Sequence, residues 1–168
     1  MSFVHGFKLF LAGVVLACLP IVAAAQGARV AFGDTAQDRT QPVEVTSDSL
    51  NVSQTDNTAV FEGDVVIAQG AMRLAAPRVL VVYLADQSGI ERLQATGGVT
   101  LVSGEDAAEA ARADYNITTG MIELRGDVLL VQGDSAITGD TMVVDTGAGT
   151  ARVTGRVKTV LQPGGDDR

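Results

Sequence analysis

The chain has 168 residues, a formal charge of −8 and 46% hydrophobic residues, with one Cys, one His, two Tyr and no Trp. An acidic surface repels phosphate backbones and so few aromatic rings offer no base-stacking platform, so nucleic acid is not expected as a partner. The only thiol and the only imidazole, Cys18 and His5, both lie among the first 25 residues. If that segment is removed, no thiol nucleophile, imidazole base or soft metal ligand is left, which argues against an enzyme.

Those first 25 residues have the form of a secretory signal. Lys8 supplies positive charge, residues 9–22 are an apolar run, and Ala23-Ala24-Ala25 offers small residues at the cleavage site. Export with cleavage after Ala25 is the expectation. An uncleaved anchor needs about 20 apolar residues, slightly more than residues 9–25 supply. Val15-Leu-Ala-Cys18 loosely resembles a lipid-attachment box, but apolar residues follow Cys18 where a polar tether would stand. Loss of Lys8 takes the charge from −8 to −9 and leaves Lys158 as the sole lysine. Without disulfides, stability must come from burial and sheet hydrogen bonds, and a chain of this size suits one domain.

Residues 26–42 are polar and aperiodic and read as a flexible leader. From residue 43 the pattern is alternation punctuated by Gly, Asp, Asn and Thr, the mark of strands joined by tight turns. Eight extended segments are predicted near 43–54, 58–69, 71–85, 91–103, 106–118, 121–132, 135–146 and 150–162. Turns fall at Gly70, Gly120, Gly133-Asp134 and Gly147-Ala-Gly149. Residues 105–112 could be one helical turn or a polar strand, and 163–168 read as a disordered tail.

A unit recurs within these segments. In Phe61-Glu-Gly-Asp-Val-Val-Ile67, Ala95-Thr-Gly-Gly-Val-Thr-Leu101, Leu124-Arg-Gly-Asp-Val-Leu-Leu130 and Val153-Thr-Gly-Arg-Val-Lys-Thr159, a glycine is followed two residues later by valine. A second set of anchors, Asp48, Pro77, Ala111 and Asp140, alternates with Gly63, Gly97, Gly126 and Gly155 at steps of 14 or 15, a period of 29. The one exception, 77 to 97, has its extra residues near 85–89, in a turn, where insertions are tolerated. Each glycine therefore falls inside a strand, where it marks a bend, a bulge or a close backbone approach.

Alternation then assigns faces. Around Gly126, Ile122, Leu124, Val128 and Leu130 point inward, and Glu123, Arg125, Asp127 and Leu129 outward. Ala59, Leu93, Ala95 and Ala151 share that inward phase in the other copies, and the inward residues singled out across all copies are Leu50, Val52, Phe61, Val65, Ile67, Val79, Val81, Val99, Leu101, Tyr115, Leu124, Val128, Leu130, Met142, Val144, Val153 and Val157. Such an aliphatic interior is either an ordinary closed core or a space left open for an aliphatic ligand. The first and last segments should be edge strands, which invite another strand.

The recurring Gly-Asp pairs lack the spacing of a calcium-binding nonapeptide or an EF-hand loop and read as solvated turn and strand-edge carboxylates. No metal or cofactor is expected. Ser47, Ser49 and Ser53 have no partner base, and no cleft is defined for paired carboxylates. Asn51-Val-Ser53 and Asn116-Ile-Thr118 match the glycosylation sequon, read as chance in a chain with a bacterial-looking signal.

The repeated Gly-x-Val strand, with Ala110-Ala-Arg-Ala-Asp-Tyr-Asn116 and Thr119-Gly-Met-Ile-Glu-Leu-Arg-Gly-Asp-Val128 as its most characteristic stretch, resembles the OstA-like family. The resemblance spans residues 43–161. It implies an all-β fold, a twisted V-shaped β-jelly roll built here from about four 29-residue repeats. It also implies a periplasmic destination and a slot that accepts the acyl chains of lipopolysaccharide, with the inward set as the lipid-binding face. By the same resemblance, protomers join head to tail by strand pairing. They meet an inner-membrane anchored family member at one edge strand and the outer-membrane translocon at the other. A membrane-tethered member of the family and a structural or adaptor repeat protein without lipid are the other readings.

Overall fold

A computed structural model describes residues 27–33 and 40–161, so the signal segment, part of the leader and the tail lie outside the described residues. Every regular element among the described residues is a strand: β1 (Ala28–Ala31), β2 (Glu44–Thr46), β3 (Ser49–Ser53), β4 (Thr58–Gln69), β5 (Met72–Tyr83), β6 (Ile90–Ser103), β7 (Asp106–Asn116), β8 (Met121–Gln132), β9 (Ser135–Asp145), β10 (Thr150–Thr154) and β11 (Lys158–Val160). Of the ambiguous stretch at 105–112, all but Glu105 is part of β7.

From β4 to β9 the strands form consecutive antiparallel hairpins, and each register slips in the middle, where the glycine lies. Between Glu62 and Val65, two residues, Gly63 and Asp64, oppose the single Pro77, which is a β-bulge. The glycine and its successor both take positive φ in all four copies: Gly63 and Asp64 (82° and 44°), Gly97 and Gly98 (93° and 97°), Gly126 and Asp127 (86° and 48°), Gly155 and Arg156 (76° and 44°). A Cβ on Gly126 would sit 2.8 Å from that of Ala111, so the first position needs glycine for space as well as for φ. The opposite anchor is accordingly small, cyclic or a short carboxylate.

The aligned bulges fold the sheet on itself. One arm contains β1, β3 and β10 with the adjoining halves of β4–β9; the other contains β2 and β11 with the remaining halves. Below they are the β3 arm and the β2 arm. Their inner faces share one core, whose side chains are aliphatic apart from Tyr115 and Phe32. The extra residues of the long step lie at 84–89, in the turn between β5 and β6, where the Leu84 N–H donates to the Gly89 carbonyl (2.9 Å).

The leader departs from expectation. Ala28–Ala31, predicted to be part of a flexible segment, is strand β1 and pairs antiparallel with β10. Four residues with only Val30 strongly apolar carry too little alternation to register in the sequence; pairing with an existing edge makes the strand. The last segment is therefore an edge only in the β2 arm, as β11.

Candidate functional site

The inner faces are built from continuous cross-strand rows. In the β3 arm one row runs Leu50, Phe61, Val79, Ala95, Ala113, Leu124, Met142, Val153 and Ala28. The next, closer to the arm's tip, runs Val52, Ala59, Val81, Leu93, Tyr115, Ile122, Val144, Ala151 and Val30. The β2 arm answers with Val45, Ile67, Leu74, Leu101, Ala108, Leu130, Ile137 and Thr159. Val65, Val99 and Val128 stand next to the bend. Side chains directly opposite on neighbouring strands share a face, so each row presents one apolar ridge.

Burial along these rows is uneven. Val65, Ile67, Val79, Val81, Val99, Leu101, Tyr115, Leu124, Val128, Leu130, Met142, Val144 and Val153 are all buried, and Phe61 is half-buried. Leu50 and Val52 occupy the inward phase but are 54% and 58% exposed, because among the described residues no strand beyond β3 covers them. Val157 is 39% exposed, because it lies in the last bulge, outside β10 and β11. Sequence reasoning missed Met72, Leu74, Ala76, Ala108, Ala110 and Ile137, which fill the β2 arm. The bulge opposes two residues to one, so the anchor strand changes phase: Leu74 and Ala76 point inward before Pro77, Val79 and Val81 after it. The register slip of 14 against 15 carried that signal.

Polar contacts fasten the two arms at their tips. The buried Tyr115 hydroxyl donates to Gln69 Oε1 across the interior (2.7 Å), and Gln69 Nε2 donates to the Gln41 carbonyl (3.0 Å). At the β10 end, Phe32 is buried and its N–H donates to the Gly149 carbonyl (3.0 Å). Gln132 Nε2 donates to the Ala31 carbonyl (2.7 Å) and the Asp106 carboxylate (3.0 Å), which also accepts from the Gly33 N–H (2.8 Å). Residues 28–33 thus seal one end of the interior, and among the described residues nothing comparable covers Leu50 and Val52 at the other.

Charges stay outside. Glu62 pairs with Arg78, Glu123 with Arg125 and Asp140 with Arg156, all on the surface. The hydrogen bond from Arg156 holds the Asp140 carboxyl below the ordinary carboxylate range and raises the guanidinium in turn. Hydrogen bonds from Ser88 lower Asp86 in the same way. Among the described residues there is no group of His, Cys, Asp and Glu that could hold a metal ion, and no helix is long and apolar enough to cross a membrane. What the geometry offers is an apolar interior, open at one end, and strand edges at both ends.

Comparison with known proteins agrees with this architecture. Residues 44–150 match the model of the family described as "LptA/(LptD N-terminal domain) LPS transport protein". An uncharacterised protein of Rhizobium meliloti (strain 1021) is 30% identical over 134 residues, 73% of this chain and 72% of that one. The lipopolysaccharide export system protein LptA of Escherichia coli (strain K12) is 28% identical over 109 residues, 61% of this chain and 59% of that one. In three dimensions, LptH of Pseudomonas aeruginosa, described as the LptA homologous periplasmic component of the lipopolysaccharide transport device, superposes with a TM-score of 0.68. That match is 23% identical and covers 76% of this chain and 99% of LptH.

Proposed function

Because the chain belongs to the LptA/(LptD N-terminal domain) LPS transport protein family, we propose that it is a periplasmic lipopolysaccharide carrier, not an enzyme. It shields the acyl chains of lipid A between its arms and bridges inner and outer membranes by end-to-end strand pairing. Its partners in this reading are lipopolysaccharide, further copies of itself, an inner-membrane anchored relative at one end and the outer-membrane translocon at the other. The observation that carries the proposal is the pair of inward rows that run on from the buried centre to Leu50 and Val52, 54% and 58% exposed. An apolar ridge ending in the open calls for an apolar cover. Covering ten methylenes contributes roughly 8 kcal/mol, enough for micromolar affinity before the costs of association.

The centre of the interior is filled by its own side chains, so an acyl chain enters it only where the arms part. Parting breaks the Tyr115–Gln69 hydrogen bond, worth about 1 kcal/mol net, and uncovers the rows on either side. The half-buried Phe61, beside exposed Leu50, is the natural point of entry. That filled centre also supports the reading as an adaptor without lipid, and one assay separates the two. Purified protein is incubated with lipopolysaccharide and then freed of micelles by gel filtration. The carrier retains lipid, and Phe61→Asp retains several-fold less. Protein emerging lipid-free, or equal retention by the variant, contradicts the carrier.

A further inference from the structure

The repeats inside the sheet define what a second copy would meet at the last strand. Each internal glycine is followed by the next anchor strand in one register: Glu62 stands opposite Arg78, Thr96 opposite Arg112 and Arg125 opposite Thr141. In every case the residue before the glycine faces the residue after the anchor. Gly155 is the last glycine and Asp48 the first anchor. Carried across two copies, the same rule sets Val153 of one copy opposite Leu50 of the other, and Ala151 opposite Val52. The strands run antiparallel, as elsewhere in the sheet. In the β2 arm the rule continues with β2 alongside β11, an edge that pairs only with β9 among the described residues.

In the β3 arm the position is already taken. β1 pairs with β10, with Ala28 opposite Val153 and Val30 opposite Ala151. It has the direction, alternation and register that the second copy's β3 would have. We propose that β1 is a displaceable self-cap standing in for β3 of a second copy, and that end-to-end growth occurs by strand exchange on β10. This rests on the end-to-end reading above and adds its regulation: a free chain is protected at one edge until a second copy competes for it.

Three observations favour a second copy as the competitor. Leu50 and Val52 are exposed on β3, and exchange would place them over Val153 and Ala151, with leucine replacing the smaller Ala28. Arg29 of β1 stands directly opposite Arg152, both exposed, and like charges so placed weaken the pairing. Asn51 of the incoming strand would occupy that place without a charge. The two ends of the sheet also complement each other. Residues 40–72 carry no Lys or Arg and residues 150–160 no carboxylate; with Glu62 already paired to Arg78 and Arg156 to Asp140, Glu44, Asp48, Asp56 and Asp64 remain at one end and Arg152 and Lys158 at the other. Opposite charge at opposite ends favours head-to-tail over like-to-like docking and speeds encounter. Phe32 and Gly33, held by the core and by Asp106, lie beyond the strand and keep a displaced β1 beside its edge.

The test compares self-association by sedimentation velocity for the chain from residue 26, the chain from residue 34, and Arg29→Cys/Arg152→Cys. The two cysteines would face each other across β1 and β10 in a chain otherwise free of thiols once residues 1–25 are gone. Removal of the cap tightens association about tenfold if the edge is open one time in ten. The oxidised double variant stays small, and reductant restores growth, which keeps the test valid if the truncated chain folds poorly. Growth of the oxidised variant equal to that of the unlocked chain overturns the self-cap while leaving end-to-end assembly standing. A folded truncated chain that associates no better than the longer one does the same. If none of the three associates at any concentration, the end-to-end reading fails and the self-cap with it.

Discussion

The two ends of the sheet are made from the same repeat and reach different states. At the β10 end, Val153 and Ala151 are 0% and 1% exposed; at the β3 end, Leu50 and Val52, in the same rows, are 54% and 58% exposed. All four residues are apolar and take the same inward phase. What differs is a neighbour: among the described residues β10 has β9 on one side and β1 on the other, and β3 has β4 alone. Burial in this fold is thus set by the number of flanking strands, and an uncovered end is an interior awaiting its next strand.

The sharpest way to break this comparison is to make the same cut in one row at two places. Met142→Ala, with strands on both sides, should cost about 2–5 kcal/mol in urea unfolding, through lost burial and the cavity left behind. Leu50→Ala should change stability by no more than about 0.5 kcal/mol, as expected for an exposed side chain. Equal losses would mean that Leu50 is covered in solution and that the ends do not differ.

The bends sharpen the comparison next. Gly63→Ala and Gly155→Ala each force a side chain into positive φ, 82° and 76°, beneath the Asp48 or Asp140 carboxylate. Strain of about 1–3 kcal/mol is expected at either, read as a lowered thermal midpoint. Gly155→Ala should be the worse, because Asp140 is held by Arg156 and resists displacement. At the capped end, Gln132→Ala removes the donor to Ala31 and to Asp106, with a net cost of about 1 kcal/mol per hydrogen bond. Its signature is local: amide exchange should rise along β1 and β10 while β4 and β5 stay protected.

The smallest effect concerns Asp140. Its folded carboxyl is held below its unfolded value, so its contribution is present at neutral pH, above the unfolded value, and fades as pH falls through the lower, folded one. Asp140→Asn should therefore lower the thermal midpoint slightly at pH 7, with the difference closing only in acid. The side chains are exposed, so the shift should be small and should shrink further in high salt.

Much of this was legible in the sequence because the repeat states it several times. The 29-residue spacing located the bends, and alternation about Gly126 gave the inward faces of β4, β6 and β8. The anchor strands were legible only on one side of the anchor. A bulge on the neighbouring strand changes their phase, and that neighbour's geometry is not written in Ala108 or Leu74 themselves. β1 was not legible at all, since its pairing partner lies more than 110 residues away. The edge position of the first segment was legible, but the degree to which Leu50 and Val52 are exposed was not, because their phase is the same as that of buried Met142 and Val144. Exposure depends on what lies beyond an edge, and a strand's own pattern does not record it.

The claim at the centre of the account is that lipid lies against the inward face. Photoreactive phenylalanine analogues close in shape to the native rings, placed at Phe61 and Tyr115 and compared with the same group at the outward positions Glu123 and Arg125, test it directly during incubation with lipopolysaccharide. Crosslinks are expected from both inward positions, stronger at half-buried Phe61 than at buried Tyr115, and none above background from the outward pair. Equal labelling of the two faces would contradict the claim.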